Sequence, residues 1–330
     1  MTNEARSLSY FPLPPRGLSG PVHPMKLAPQ PARVLFVLIL ATALGSLPGR
    51  AATVLYVGQQ GGGNVRTFDA ITGASLNPAF VSGTTNVNGL LLSDGTLFVA
   101  DLSASRVGKY DAVTGAAING NFIGSTDLLL PAGMAVLGNT LFVVNIGVNL
   151  VREFDATTGA ALNYNFITGL NGPFGLLLSG TSLFVANANT NTVGRYDALT
   201  GAPISASFIA GLNQPIGLAI SGNHLFVSSD ITNTVGEYDA TTGAIINASF
   251  ITAGLAGPQG LLVSGNRLFV ANRSGGTVGE YDATTGATVN ASFLTGLTKP
   301  TTLALGVPEL ESAAFALLGG LGLLARRHRR

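Results

Sequence analysis

Short apolar runs recur along most of the chain, each bounded by Gly, Asn, Pro or Ser, and none has the spacing of an amphipathic helix. In one stretch they read GLLLSG (175–180), LFVAN (183–187), TVGRYDA (192–198) and ISASFI (204–209). Runs of this length, rich in aliphatic, aromatic and β-branched residues and closed by turn formers, predict β-strands. The group repeats. An aromatic-Asp-Ala triplet places Asp69, Asp111, Asp155, Asp197, Asp239 and Asp282 at intervals of 42 to 44 residues, with LYV or LFV in step at 55, 97, 141, 183, 225 and 268.

A fixed period in this range marks a stacked or circular repeat architecture. Four strands of about 5–6 residues joined by short loops fill one period, and a four-stranded antiparallel sheet per repeat is the blade of a propeller. The first copy lacks a leading strand, because the body opens directly on TVLYVG (53–58). The last copy is followed by a surplus one, TTLALG (301–306). Joining the surplus strand to the incomplete blade leaves no unpaired edge at the seam. The predicted fold is therefore all-β: a six-bladed β-propeller of four-stranded antiparallel blades, spanning 52–306, with a three-plus-one ring closure.

The repeated DATTG segment, with close variants, carries the most conspicuous acid in each unit. Asp accepts from backbone amides two or three residues on, and Gly takes the positive φ that ends a tight turn. Six copies spread around a ring cannot converge on one substrate, so these aspartates are expected to fasten hairpins. The Phe after each turn (Phe80, Phe122, Phe166, Phe208, Phe250 and Phe293) is expected to pack between blades, each contributing about 2–3 kcal/mol.

Composition narrows the function classes. The chain has no Cys or Trp, so thiolate chemistry, disulfides and zinc-thiolate sites are excluded. Within 52–306 there are eight basic and thirteen acidic side chains. An acidic body without a basic stripe is a poor partner for nucleic acid. The body's single histidine, His224, falls in a turn, SGNHLFV, and reads as a solvated side chain. GQQGGGNV (58–65) is rich in Gly but leads into a strand, so it is no phosphate loop. No catalytic residue, metal ligand or cofactor is expected.

Most of the positive charge lies at the two ends. From Met25, which reads as the true start after a Pro-rich extension (1–24), the chain has a basic segment with Lys26 and Arg33, then an apolar run over 34–47. Small residues follow at Gly49 and Ala51. That order predicts a signal peptide over 25–51, for removal by signal peptidase. At the other end (307–330), VPELES precedes a thirteen-residue apolar stretch and then RRHRR. As a helix that stretch rises ~20 Å, short for a permanent span, and the arginines favour retention on the cytoplasmic side. This tail resembles the PEP-CTERM sorting signal. The match rests on Val307, Pro308 and Glu309, the short apolar helix, and the cluster Arg326, Arg327, Arg329 and Arg330. Leu310 stands where the second proline of that motif is usual. The resemblance implies an exosortase-like membrane protease as processing partner, membrane contact through the C-terminal segment, and delivery to the envelope, surface or extracellular matrix.

The repeat itself resembles NHL-type propeller units: Pro-x-Gly before an inner strand, then LFVAN or LFVAD, then Val-x-x-aromatic-Asp, six times in register over 53–306. The Asp-x-x-Thr-Gly turn is also similar to repeats of pyrroloquinoline-quinone dehydrogenases, but their eight blades and docking tryptophans have no counterpart here. A ligand is expected on the face that carries the loops into the inner strands and the loops after LFVA. Two sets of residues ring that face. Asn88, Ala132, Phe174, Ile216, Gln259 and Thr301 precede the inner strands; Gln59, Asp101, Asn145, Asn187, Ser229 and Asn272 follow the second strands. Of these, Asn88, Phe174, Gln259, Asp101, Asn145, Asn187 and Asn272 are the candidate binding residues.

Two functions follow from this reading. One is a non-enzymatic binding or scaffold module for exopolysaccharide or protein. The other, from similarity to six-bladed gluconolactonase-like enzymes, is a metal-dependent lactonase or esterase, which implies a divalent cation near the channel. Hard cations favour carboxylate oxygens, and Asp101 is the one acid in the two sets.

Overall fold

A computed structural model describes residues 53–306. The expected signal segment and C-terminal sorting tail, including Val307, Pro308, Glu309 and the terminal arginines, lie outside the described residues. Among the described residues no helix is long and apolar enough to cross a membrane.

The described residues form twenty-four strands in six antiparallel four-stranded sheets. Blade 1 holds β1 (Val54–Gln59), β2 (Val65–Asp69) and β3 (Ser75–Val81). Blade 2 is β4 (Val87–Ser93), β5 (Thr96–Asp101), β6 (Arg106–Asp111) and β7 (Ala117–Ile123). Blade 3 is β8 (Pro131–Leu137), β9 (Thr140–Asn145), β10 (Leu150–Asp155) and β11 (Ala161–Ile167). Blade 4 is β12 (Pro173–Ser179), β13 (Ser182–Asn187), β14 (Thr192–Asp197) and β15 (Pro203–Ile209). Blade 5 is β16 (Pro215–Ser221), β17 (His224–Ser229), β18 (Thr234–Asp239) and β19 (Ile245–Ile251). Blade 6 is β20 (Pro258–Ser264), β21 (Arg267–Asn272), β22 (Thr277–Asp282) and β23 (Thr288–Leu294). The last strand, β24 (Pro300–Gly306), returns to blade 1 and pairs with β1 in the order β24-β1-β2-β3. This is the three-plus-one closure.

Alternation along the second strand of each blade builds the core. In LFV the Leu faces the preceding blade and the aromatic the following one, as a strand's period of two requires. Six apolar clusters result, one in each gap between neighbouring blades. Phe98, Phe122, Leu141 and Phe154 share the gap between blades 2 and 3; Leu55, Phe68, Phe269 and Leu294 close the gap between blades 6 and 1. The six phenylalanines stack within their own blade on the second-strand aromatic, with centroid distances from 4.9 Å (Phe142–Phe166) to 5.8 Å (Phe98–Phe122), and face the next blade. Such pairs add roughly 0.5–1.5 kcal/mol beyond their burial.

The six aspartates fasten turns as expected. Asp239 Oδ1 accepts from the amides of Thr241 (2.9 Å) and Thr242 (2.7 Å) and from the Thr242 hydroxyl (2.9 Å), and the other five do the same. These bonds hold all six carboxylates below the ordinary range. The Thr amide is the main cause at Asp69, Asp155 and Asp239, and the Thr hydroxyl at Asp111, Asp197 and Asp282. The turn glycine also keys the ring together. Gly115 has φ +74°, and a Cβ there would collide with the Phe80 carbonyl of the blade before it.

Candidate functional site

The inner strands start earlier than their apolar runs indicate, at a Pro, or at Val87 in blade 2. Pro173 pairs with Asn187, but Leu176 pairs with Val185, so Phe174 and Gly175 share one partner position in a bulge. The set expected before the strands therefore lies within them, where the bulge turns side chains toward the axis. Asn88, Phe174, Ile216, Gln259 and Thr301 line a central cavity of about 120 Å³ together with the glycines and leucines that follow them. The glycines set how closely the strands approach. A Cβ on Gly217 would run into the Gln259 carbonyl oxygen, and one on Gly175 into that of Ile216. Ala132, the sixth member of the set, is buried.

The second set sits differently. Gln59, Asp101, Asn145, Asn187, Ser229 and Asn272 are all buried, and the polar atoms of most are engaged with the loop that enters their own blade. Asp101 accepts from the Thr85 amide (2.9 Å), the Thr85 hydroxyl (2.6 Å) and the Asn86 amide (3.0 Å). Asn145 accepts from the Leu129 amide (2.7 Å), and Asn272 from that of Ala256 (3.2 Å) while donating to Gly254 O (3.3 Å). Asn187 makes longer contacts with the Asn171 amide and Val185 O, both 3.5 Å. Gln59 accepts from the Thr298 amide (2.6 Å) across the closure. These side chains clamp loops beneath the face and are not gathered at its opening. The structure thus moves Asp101, Asn145, Asn187 and Asn272 from the candidate binding face to its foundations.

The opening is polarised. On blades 6, 1 and 2 it presents Gln259, Thr301 and Asn88, and a hydrogen-bonded chain extends outward from the last of these. Gln60 Nε2 donates to Asn88 Oδ1 (2.8 Å), and Arg273 Nε donates to Gln60 Oε1 (2.7 Å). Thr301 Oγ1 is committed to the Val87 carbonyl (2.6 Å). Across blades 3 to 5 the cavity wall is Met134, Phe174 and Ile216. Asp230, half-buried near Arg273, has its carboxyl pushed up by burial, an effect the arginine partly offsets. Gln60, Arg273 and Met134 escaped the sequence reading. The column immediately after the second strands, polar at Asp230, Arg273 and Gln60 and apolar at Leu102, Ile146 and Ala188, carries a similar division displaced by one blade, and was the signal available in the sequence.

The cation implied by a lactonase needs several hard oxygen donors around one point. The cavity lining contributes Asn, Gln and Thr but no carboxylate, and Asp101 is taken by its loop. Among the described residues no group of three or more His, Asp or Glu is placed to hold a metal. The donor set does not fit.

Residues 189–305, from the outer loop of blade 4 to the closing strand, match the family model PQQ_2, outer membrane protein assembly factor BamB, a repeat family other than the NHL type. No curated protein matches the chain. Among solved structures, a chain of the nidogen/laminin complex is 16% identical, with a TM-score of 0.62 over 77% of this chain and 98% of that one. The computationally designed Ika8 protein is 15% identical, with a TM-score of 0.46 over 76% and 74% of the two chains. The first of these likenesses concerns the fold alone. The chain is an all-β six-bladed propeller whose residues 189–305 are similar to BamB-type repeats.

Proposed function

We propose that the protein is an exported, surface- or matrix-sorted propeller that works as a non-enzymatic binding or scaffold module, engaging exopolysaccharide or protein at its central opening. The observation that carries this reading is the division of that opening into a hydrogen-bonding arc with Gln259 and Asn88 and an apolar arc with Phe174. Binding sites of this kind combine apolar surface with a few placed polar groups. A sugar ring suits the pair, since its hydroxyls bond to amides while its C–H face lies on an aromatic ring.

The commitment of the turn aspartates and of Asp101 to local hydrogen bonds supports a binding role over hydrolysis. The similarity of residues 189–305 to a family named for outer membrane protein assembly agrees with the envelope address read from the two ends.

A glycan array and a pull-down from extracellular matrix test the proposal. Retention is expected, and Phe174→Ala and Asn88→Ala should each reduce it when measured well below the variant's own melting temperature, since Phe174 also packs on the core between blades 3 and 4. Failure of the intact chain to be retained by any glycan or matrix protein would refute it.

A further inference from the structure

The gaps between blades have a second opening, on the face that carries the DATTG turns. In three of the six gaps the chain fills it with its own cation. Lys109 Nζ lies 5.5 and 5.1 Å from the Phe98 and Phe122 ring centres and donates to Ala156 O of blade 3 (3.2 Å). Arg195 lies 5.6 and 5.5 Å from Phe184 and Phe208 and donates to Thr241 O of blade 5 (3.1 Å). Arg267 lies 4.6 and 5.4 Å from Phe269 and Phe293, donates to Ala70 O of blade 1 (2.5 Å), and pairs with Glu280 (2.5 Å). The repeat has thus built one receptor three times: two aromatic faces and a turn carbonyl, around a cationic head group.

Blade 5 has the parts of this receptor without the head group. Glu237 stands opposite Phe226 as Glu280 stands opposite Phe269, and His224 occupies the register position of Arg267. Phe250 stacks on Phe226 at 5.3 Å. Glu237 is 6% exposed, and its one side-chain partner is the His224 ring, Nδ1 to Oε1, at 2.6 Å. His224 begins β17 rather than lying in the turn; its side chain is exposed, as expected, and its Nδ1 forms this contact. A cavity of about 100 Å³ remains between blades 5 and 6, lined by His224, Phe226, Glu237, Asn266, Ala283 and Thr284. That is several times the ~10–15 Å³ that admits one water. Ala283 and Thr284 are the turn positions whose counterparts, Ala70, Ala156 and Thr241, receive the cations elsewhere.

We infer that the groove between blades 5 and 6 is a binding site for a guanidinium or alkylammonium group supplied by another molecule. The head group lies over Phe226, its charge meets Glu237, and an N–H donates to a carbonyl of the Ala283–Thr284 turn. This site is on the face opposite the central opening and stands or falls independently of the binding role assigned there.

Titrating methylguanidinium into the full-length chain by NMR or calorimetry tests it. Saturable binding is expected at about millimolar concentration, and Glu237→Gln should weaken it at least tenfold. His224→Arg would supply the head group from within, as Arg267 does in blade 6. It should abolish binding and raise the melting temperature, a gain that a damaged fold cannot mimic. A tripeptide with a central arginine binding more tightly than methylguanidinium assigns the source to a protein chain, and the reverse order to a small amine. Lack of saturation in the wild type, or unchanged binding in either Glu237→Gln or His224→Arg, overturns the inference.

Discussion

In blades 2, 4, 5 and 6 the third strand reads Val-Gly-x-Tyr, and in blades 1 and 3 it reads Val-Arg-x-Phe. The structure explains why the two positions change together. A Cβ added to Gly236 would lie 2.7 Å from both Cε2 and the hydroxyl oxygen of Tyr238, and the other three Gly-Tyr pairs repeat this geometry. The phenol folds back along the strand into the space a side chain would use. Gly236→Ala should therefore cost about 1–3 kcal/mol through overpacking, less about 0.5–1 kcal/mol regained by restricting the unfolded chain. The net is a loss of about 0.5–2 kcal/mol, or a melting temperature lower by roughly 2–6 °C for a domain of this size. Tyr238→Phe removes the hydroxyl that must reach solvent and frees the ring to tilt, the arrangement blades 1 and 3 already accommodate. In that background Gly236→Ala should be neutral or stabilising by up to about 1 kcal/mol, a coupling of about 1–3 kcal/mol across the cycle. Thermal melts of the wild type, both single variants and the double variant decide the matter. Equal costs for Gly236→Ala in the two backgrounds would refute the steric account.

The six turn carboxylates are held below their unfolded values, so their contribution is complete above the ordinary aspartate value of ~3.9 and is lost as pH falls through the depressed folded values. Asp239→Ala should melt below the wild type at pH 7, with the difference narrowing toward pH 2; a constant difference would mean that the charge is irrelevant. Gly217→Ala, aimed at the Gln259 carbonyl, should cost about 3 kcal/mol, against about 1–2 kcal/mol for Gly180→Ala, which has a positive φ but open space around it. Similar melts for the two would show that the inner strands are looser than described. Mass spectrometry of the mature protein should find a start close to residue 52 and no Arg326–Arg330 cluster; an intact C-terminus would remove the sorting reading.

The architecture was readable because repetition multiplies weak signals. One run such as LFVAN says little, but six copies at fixed spacing, with a strand missing at one end and surplus at the other, leave a closed ring as the economical arrangement. The turn role of the aspartates was equally readable, since Asp, Thr and Gly act through bonds two to four residues long. What depended on contacts between distant parts of the chain was not. The bulge that carries Phe174 into the inner strand interrupts no apolar run. The burial of Asp101 and Asn272 follows from loops fifteen or sixteen residues upstream folding over them. The crossing of Arg267 to Ala70, 197 positions away, exists only once the ring has closed.

Closure has one further effect. Val54 is paired at once with Gly306 and with Asp69, where a turn begins. The points where the ring is entered and left therefore coincide, on the rim opposite the central opening. A tether continuing from either extremity would grip the disc from the same side, and the cup between Asn88 and Phe174 would look outward from whatever surface held it.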